Sequence, residues 1–226
     1  MFKRGSHRLA TQMRATVKVL RDSYNNLTER ARINLDFLLL TTVAAVICAL
    51  GFKMNSVPVI VGAMVISPLL YPVICLGAAT YKADWRAFLR AVKTLVAGLV
   101  AATVAAAALN LFYSTTFQSE IVGRLSTATG DYVLVAFFSG IAGTYSFFSP
   151  KMHEAITGIA ISVALVPPVV MLGISIAEQN YTLFIGSGII ALSNIFGIYA
   201  GSIVMMAGLY WISKDAKRAS ITQNRR

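Results

Sequence analysis

Residues 62–77 read GAMVISPLLYPVICLG, and residues 158–173 read GIAISVALVPPVVMLG. A shift of 96 positions brings Gly62 onto Gly158, Pro72 onto Pro168, Val73 onto Val169, Leu76 onto Leu172 and Gly77 onto Gly173. Both stretches are apolar runs interrupted by proline. Pro68 and Pro72 carry no amide hydrogen, so a continuous helix would leave the carbonyls of Met64 and Pro68 without partners and in steric conflict with the rings. Pro167 and Pro168 do the same to Val163 and Ala164. An unpaired backbone group facing hydrocarbon costs several kcal/mol, so such breaks belong inside a bundle or beside a wet cavity. Two central, shielded, broken helices are therefore expected. Ser67 lies beside the first break and Ser162 just before the second, where hydroxyls repair carbonyls or contact a solute. The plainer alternative is a pair of proline kinks healed by serine and water.

The chain around these stretches is built for lipid. Of its 226 residues 57% are hydrophobic and 13% are charged, against roughly 45–50% and about 25% in soluble domains. Six apolar runs, at about 34–51, 57–80, 87–113, 132–149, 155–177 and 183–212, each reach or approach the roughly 20 residues that cross a bilayer as helix. The expected fold is all-α, a polytopic membrane domain over residues 33–212, preceded by a basic helix over 1–32 and followed by a basic tail over 213–226. The shift of 96 also lays spans one to three, residues 33–113, on spans four to six, residues 130–212. Three is odd, so the second half enters the membrane with the opposite orientation, a three-plus-three inverted repeat with proline-broken second and fifth spans.

The net charge of +11 points to topology. With the N-terminus inside, eighteen of the twenty Lys and Arg fall in the tails and the connections after spans two and four, leaving Lys53 and Arg124 outside. That asymmetry places both termini in the cytoplasm of a cell membrane, the inner membrane in a bacterium. The bases flank apolar runs and form no basic face with interleaved aromatics, which argues against nucleic acid. Residues 1–32 hold no apolar core of a cleaved signal, and the first span is expected to direct insertion. Leu9, Met13, Val17, Leu20, Tyr24, Leu27 and Ala31 form one apolar stripe, suited to an anionic leaflet or to a coiled coil between subunits.

The segments NSVPVIVGAMVISPLLYP at 55–72, DW at 84–85 and GIAISVALVPP at 158–168 resemble the hydrophobic membrane family known as domain of unknown function 389. The resemblance covers about residues 30–212. It implies a multi-span membrane domain and no known activity, and it places Asn55, Ser56, Gly62, Ser67, Pro68, Pro72, Gly158, Pro167 and Pro168 at positions of the family pattern. Many members carry a soluble domain ahead of the membrane region, where this chain has the basic helix.

Candidate chemistry is sparse. Asp36 and Asp131 open spans one and four, where a carboxylate suits a helix N-terminus; Asp36 is also the best candidate for an ion-coupled carboxylate. Asn55 and Ser56 start span two as a cap or as part of an external vestibule. Ser193, Gly197 and Gly201 form a small-residue seam for helix packing or subunit contact, which makes a homo-oligomer plausible, and Asn194 beside it reads as interhelical glue or a ligand contact. His7 and His153 have no zinc-site spacing, no nucleophile elbow or phosphate loop occurs, and Cys48 and Cys75 sit singly in apolar runs. No enzyme, metal or cofactor is expected. The reading that remains is a transporter or channel for an ion or small polar solute, at a site formed by Ser67, Pro68 and Pro72 with Ser162, Pro167 and Pro168. The alternative is a non-transporting scaffold or sensor that binds lipid or a partner protein.

Overall fold

The structure is a computed structural model that describes residues 18–113, 130–149 and 165–223. Among the described residues are eight helices and no strand. They are α1 (residues 18–30), α2 (Leu35–Lys53), α3 (Val57–Ile66), α4 (Leu70–Lys82), α5 (Trp85–Tyr113), α6 (Gly130–Phe148), α7 (Val166–Ala177) and α8 (Tyr181–Gln223). Four of them, α2, α5, α6 and α8, are long and apolar enough to cross a membrane, and α3 and α4 form a fifth candidate bent by 51° at its break. The run at 155–177 is described only from Leu165 onward, as the short helix α7. The expectations on Arg124, Lys151, His153, Glu154, Gly158 and Ser162 lie outside the described residues.

Three turns share one chemistry. At the end of α2, Asn55 takes a left-handed backbone (φ 50°), its N–H bonds Phe52 O at 3.1 Å, and Ser56 N–H bonds Gly51 O at 2.9 Å. The same pair of bonds closes α4 through Ala83 and Asp84, and closes α7 through Gln179 and Asn180. Each satisfies helix-end carbonyls that would otherwise be orphaned. The helices after the second and third of these turns are then capped by side chains: Asp84 Oδ1 accepts Ala87 N–H at 3.0 Å and Asn180 Oδ1 accepts Leu183 N–H at 3.0 Å. Asn34 does the same for α2, accepting Phe37 N–H at 2.7 Å.

The helices pack with their backbones close together. α8 lies against α6, α4 and α7; α5 lies against α2, α4 and α7; α2 also touches α3 and α7. A Cβ on Gly201 would strike the Phe137 carbonyl and one on Gly140 would strike Ile198, so α6 and α8 approach as only small residues allow. The Gly197 and Gly201 seam is thus occupied within the chain, which answers the choice between helix packing and subunit contact for these two residues. Large apolar side chains on the opposite faces, among them Val96, Val100, Val104, Leu192 and Phe196, point outward, as helices in lipid require.

The apolar stripe of the N-terminal helix has a partner of its own. Tyr24, Leu27 and Ala31 are buried, and Thr94 Oγ1 of α5 donates to Ala31 O at 2.9 Å. Tyr24 donates its phenol to Asp84 Oδ2 at 3.0 Å under the Lys82 ammonium, which sits 3.7 Å from the ring centroid. This part of the stripe packs on α4 and α5, a third use beside the leaflet and the coiled coil; Leu9, Met13 and Val17 lie outside the described residues. The hydrogen bond from Ala87 N–H, helped by a lesser one from Tyr24, holds the Asp84 carboxyl below its usual range against the opposing effect of burial. Burial, with Asp84 as acceptor, pushes the Tyr24 phenol up.

Two outcomes follow from these contacts. Gly201→Leu is expected to overpack the α6–α8 contact by about 1–3 kcal/mol or more, whereas Gly208→Leu, with open space at its Cβ, leaves thermal unfolding in detergent unchanged. Asp84 has a lower folded than unfolded pKa, so its contribution is present in full above about pH 4 and is lost as pH falls through the folded value. Asp84→Ala should therefore destabilise the protein at neutral pH by about 1 kcal/mol for the lost cap. The gap between parent and variant should close on acidification, and a gap that stays constant with pH would contradict the assignment.

Candidate functional site

The first break is made by Ser67, Pro68 and Leu69. A residue before proline is pushed out of the helical region, and Ser67 is extended (φ −74°, ψ 126°), so α3 stops there. Ser67 N–H still bonds Ala63 O at 3.3 Å, but Pro68 has no hydrogen to offer the Met64 carbonyl. The chain restarts as α4 at Leu70, with Tyr71 N–H on Pro68 O at 3.2 Å. Pro72 then becomes the third residue of the new helix, where a missing N–H costs nothing because no carbonyl one turn earlier awaits it. Pro167 and Pro168 take the second and third places of α7 in the same way. The prolines therefore begin helices, and the simple kink is not the form adopted at the first break.

The break is shielded on one side. Leu69 is buried and reaches α5 at Gly98, where an added Cβ would lie 2.7 Å from Leu69 Cδ2 and 2.9 Å from Phe37 Cζ of α2. Ser67 is only 7% exposed, and its Oγ is buried with no hydrogen-bond partner. The other face of α3 is outward, with Val57, Val65 and Ile66 exposed, so the first broken span is peripheral there. α7 is more deeply placed: Leu165 through Met171 are all buried. Tyr71, the second residue of α4, meets Phe147 edge-on at 6.1 Å and receives the Arg30 guanidinium from α1, 5.4 Å from its ring centroid and 3.4 Å from its hydroxyl.

The remaining sequence-derived residues are more scattered. Asn55 and Ser56 build the turn between α2 and α3; Ser56 is the N-cap residue of α3 by backbone, though its side chain makes no capping bond. They stand at the far end of α3 from Ser67, about 15 Å away for ten residues of helix. Asp36 is exposed in the first turn of α2, whose cap is Asn34, and Asn194 is buried in α8. Thr41, Asn110, Thr144 and Ser187 also bury a side-chain oxygen without a partner. Sequence reasoning passed over Thr41, Thr144 and Ser187, because a lone hydroxyl in an apolar run gives no sign of whether a carbonyl one turn back accepts it. Among the described residues no three His, Cys, Asp or Glu come together as a metal-binding group.

An uncharacterised protein of Methanocaldococcus jannaschii is 22% identical over 204 residues, covering 88% of this chain and 63% of that protein. The chain thus spans less than two thirds of that relative's length. No solved structure matches. The model of the domain of unknown function DUF389 matches residues 64–200, from the last turn of α3 through most of the membrane-length part of α8. With the match covering more than half its length and taking in both proline segments, the chain belongs to the DUF389 family.

Proposed function

We propose that this protein is a transporter or channel for an ion or small polar solute, built as six spans in two inverted repeats, with its site where the two proline-broken segments face the interface of the halves. One observation carries the reading. The shift of 96 residues that aligns the two motifs also relates the structure: α4 begins at Leu70 and α7 at Val166, α5 begins at Trp85 and α8 at Tyr181, and the left-handed residues are Ala83 and Gln179. The contacts follow the same rule. Gly77 sits against Tyr199 O and Ser202, while Gly173 sits against Thr103 O and Ala106, which are the same positions less 96.

Helix pairing repeats the exchange. α2 with α5 corresponds to α6 with α8, and α4 with α5 to α7 with α8; across the halves, α5 with α7 corresponds to α8 with α4. Such reciprocal contacts support a pseudo-two-fold axis, which three spans per half would set in the membrane plane. In this arrangement Gly98, which receives Leu69 at the first break, corresponds by the same shift to the buried Asn194. Half-helices meeting at a repeat interface are how many transporters hold a solute. The proposal gives no residue a catalytic role, and places both termini in the cytoplasm.

The scaffold reading draws on α1, whose basic exposed face remains suited to anionic lipid. It is weakened by the use of Gly197 and Gly201 inside the chain.

Two measurements test the proposal. Single cysteines beside Lys53 and Lys82 should label from opposite sides of the membrane, Lys82 from the cytoplasm; labelling from one side would end the topology and the inverted repeat together. Purified protein in liposomes should pass at least one member of a panel of ions and small metabolites, with the rate reduced on replacing Ser67. No flux of any member, with substitutions altering assembly alone, would return the scaffold reading.

A further inference from the structure

We infer that the break between α3 and α4 binds a small monovalent cation of the alkali-metal class, with the Met64 carbonyl and Ser67 Oγ among its ligands. This deepens the transport reading by naming a substrate class, although the binding claim stands on local chemistry.

What the break offers is oxygen. α3 ends there, so the negative end of its dipole and its last carbonyls point toward the gap. The Met64 carbonyl is denied its helical donor by Pro68, and the Ser67 hydroxyl is buried with no partner. A buried hydroxyl without a partner is costly to keep, by about 1–3 kcal/mol in general, and it signals a group that a ligand completes. Neutral carbonyl and hydroxyl oxygens are what replace the hydration shell of an alkali cation.

Anion chemistry fits less well. An anion at a helix start needs free backbone N–H groups. At α4 the Tyr71 N–H is already used by Pro68 O and Pro72 has none; at α7, Pro167 and Pro168 have none. The prolines that open these half-helices thus remove donors from both. A divalent cation fits no better, since it is normally held by carboxylates. Among the residues whose side chains are described the carboxylates are Asp22, Glu29, Asp36, Asp84, Asp131 and Glu178, and none of these is buried. An ion with one charge and neutral ligands is the better match.

Arg30 is exposed on α1 and engaged with Tyr71, three residues past Pro68. Its charge opposes a cation entering past Tyr71 and would attract an anion. The two classes of ligand therefore predict opposite effects of removing it.

The experiment measures thermal unfolding of the full purified chain in detergent, in sodium, potassium, calcium or choline chloride and in sodium gluconate, at matched ionic strength. Sodium or potassium should raise the midpoint by about 3 °C over choline, as expected for a ligand at roughly ten times its dissociation constant, whichever anion is present. Ser67→Ala should abolish the shift while leaving the salt-free protein at least as stable as the parent, because it removes an unpaired hydroxyl; Ser67→Thr should retain it. Pro68→Ala, which restores a donor to the Met64 carbonyl, should reduce the shift by an independent route. Arg30→Gln should lower the half-saturating cation concentration roughly twofold, the scale of one screened surface charge.

A shift that follows chloride, a shift with calcium alone, no cation shift in the parent, or a full shift retained in both Ser67→Ala and Pro68→Ala would overturn the inference. Rubidium and sodium uptake into proteoliposomes then separates the two proposals. Cation-specific stabilisation without uptake of any solute supports the site and refutes transport. Uptake of an anion or neutral solute with no cation shift refutes the cation site and leaves transport standing.

Discussion

A proline inside an apolar helix leaves a carbonyl that no backbone group can answer, and in hydrocarbon there is no water to answer it. This protein meets that constraint by ending one helix and starting another. At Ser67 the pre-proline residue turns extended, α3 stops, and Pro72 moves into the first turn of α4, where its missing N–H is harmless. Pro167 and Pro168 open α7 in the same positions. The angle between α3 and α4, the shielding of Leu69 by α2 and α5, and the unanswered Ser67 hydroxyl at the gap all follow from that choice.

Restarting helices in this way demands close neighbours. α7 is only twelve residues long and is buried along most of its length, so it holds its place through contact with α5, α8 and α2. Gly173 lets it approach the α5 backbone at Thr103, just as Gly77 lets α4 approach α8 at Tyr199. Dispersion and exclusion of lipid between closely opposed backbones supply the cohesion that a water-driven hydrophobic effect gives a soluble core. Buried hydroxyls lend local support: Ser202 donates to Ile74 O at 3.0 Å and Ser175 to Leu172 O at 2.8 Å.

The N-terminal helix shows the limits of a stripe pattern. Tyr24, Leu27 and Ala31 share a face in the sequence, and amphipathicity says that this face is covered. What covers it is a matter of geometry: the basic turn after α4 presents Lys82 and Asp84 to Tyr24, and Thr94 meets the Ala31 carbonyl. Similarly, small residues at four-residue spacing mark Gly197 and Gly201 for a close helix contact, yet only the fold selects α6 of the same chain as the neighbour.

Local rules written into the order of residues determined the helical class, the apolar runs that reach membrane length, the proline break before α4, the prolines in the first turn of α7 and membership in the DUF389 family. Hydropathy and the missing proline N–H act over a few residues, and both can be read without knowing the fold. Tertiary structure decided which oxygens stay unanswered. Ser67 and Ser202 look alike in sequence, but Ser202 finds the Ile74 carbonyl and Ser67 finds none, because such a hydroxyl's partner depends on where helices far apart in the chain come to rest. It also separated Asn55 and Ser56 from Ser67 by the length of α3, since residues near in sequence on a helix are held apart by its rise.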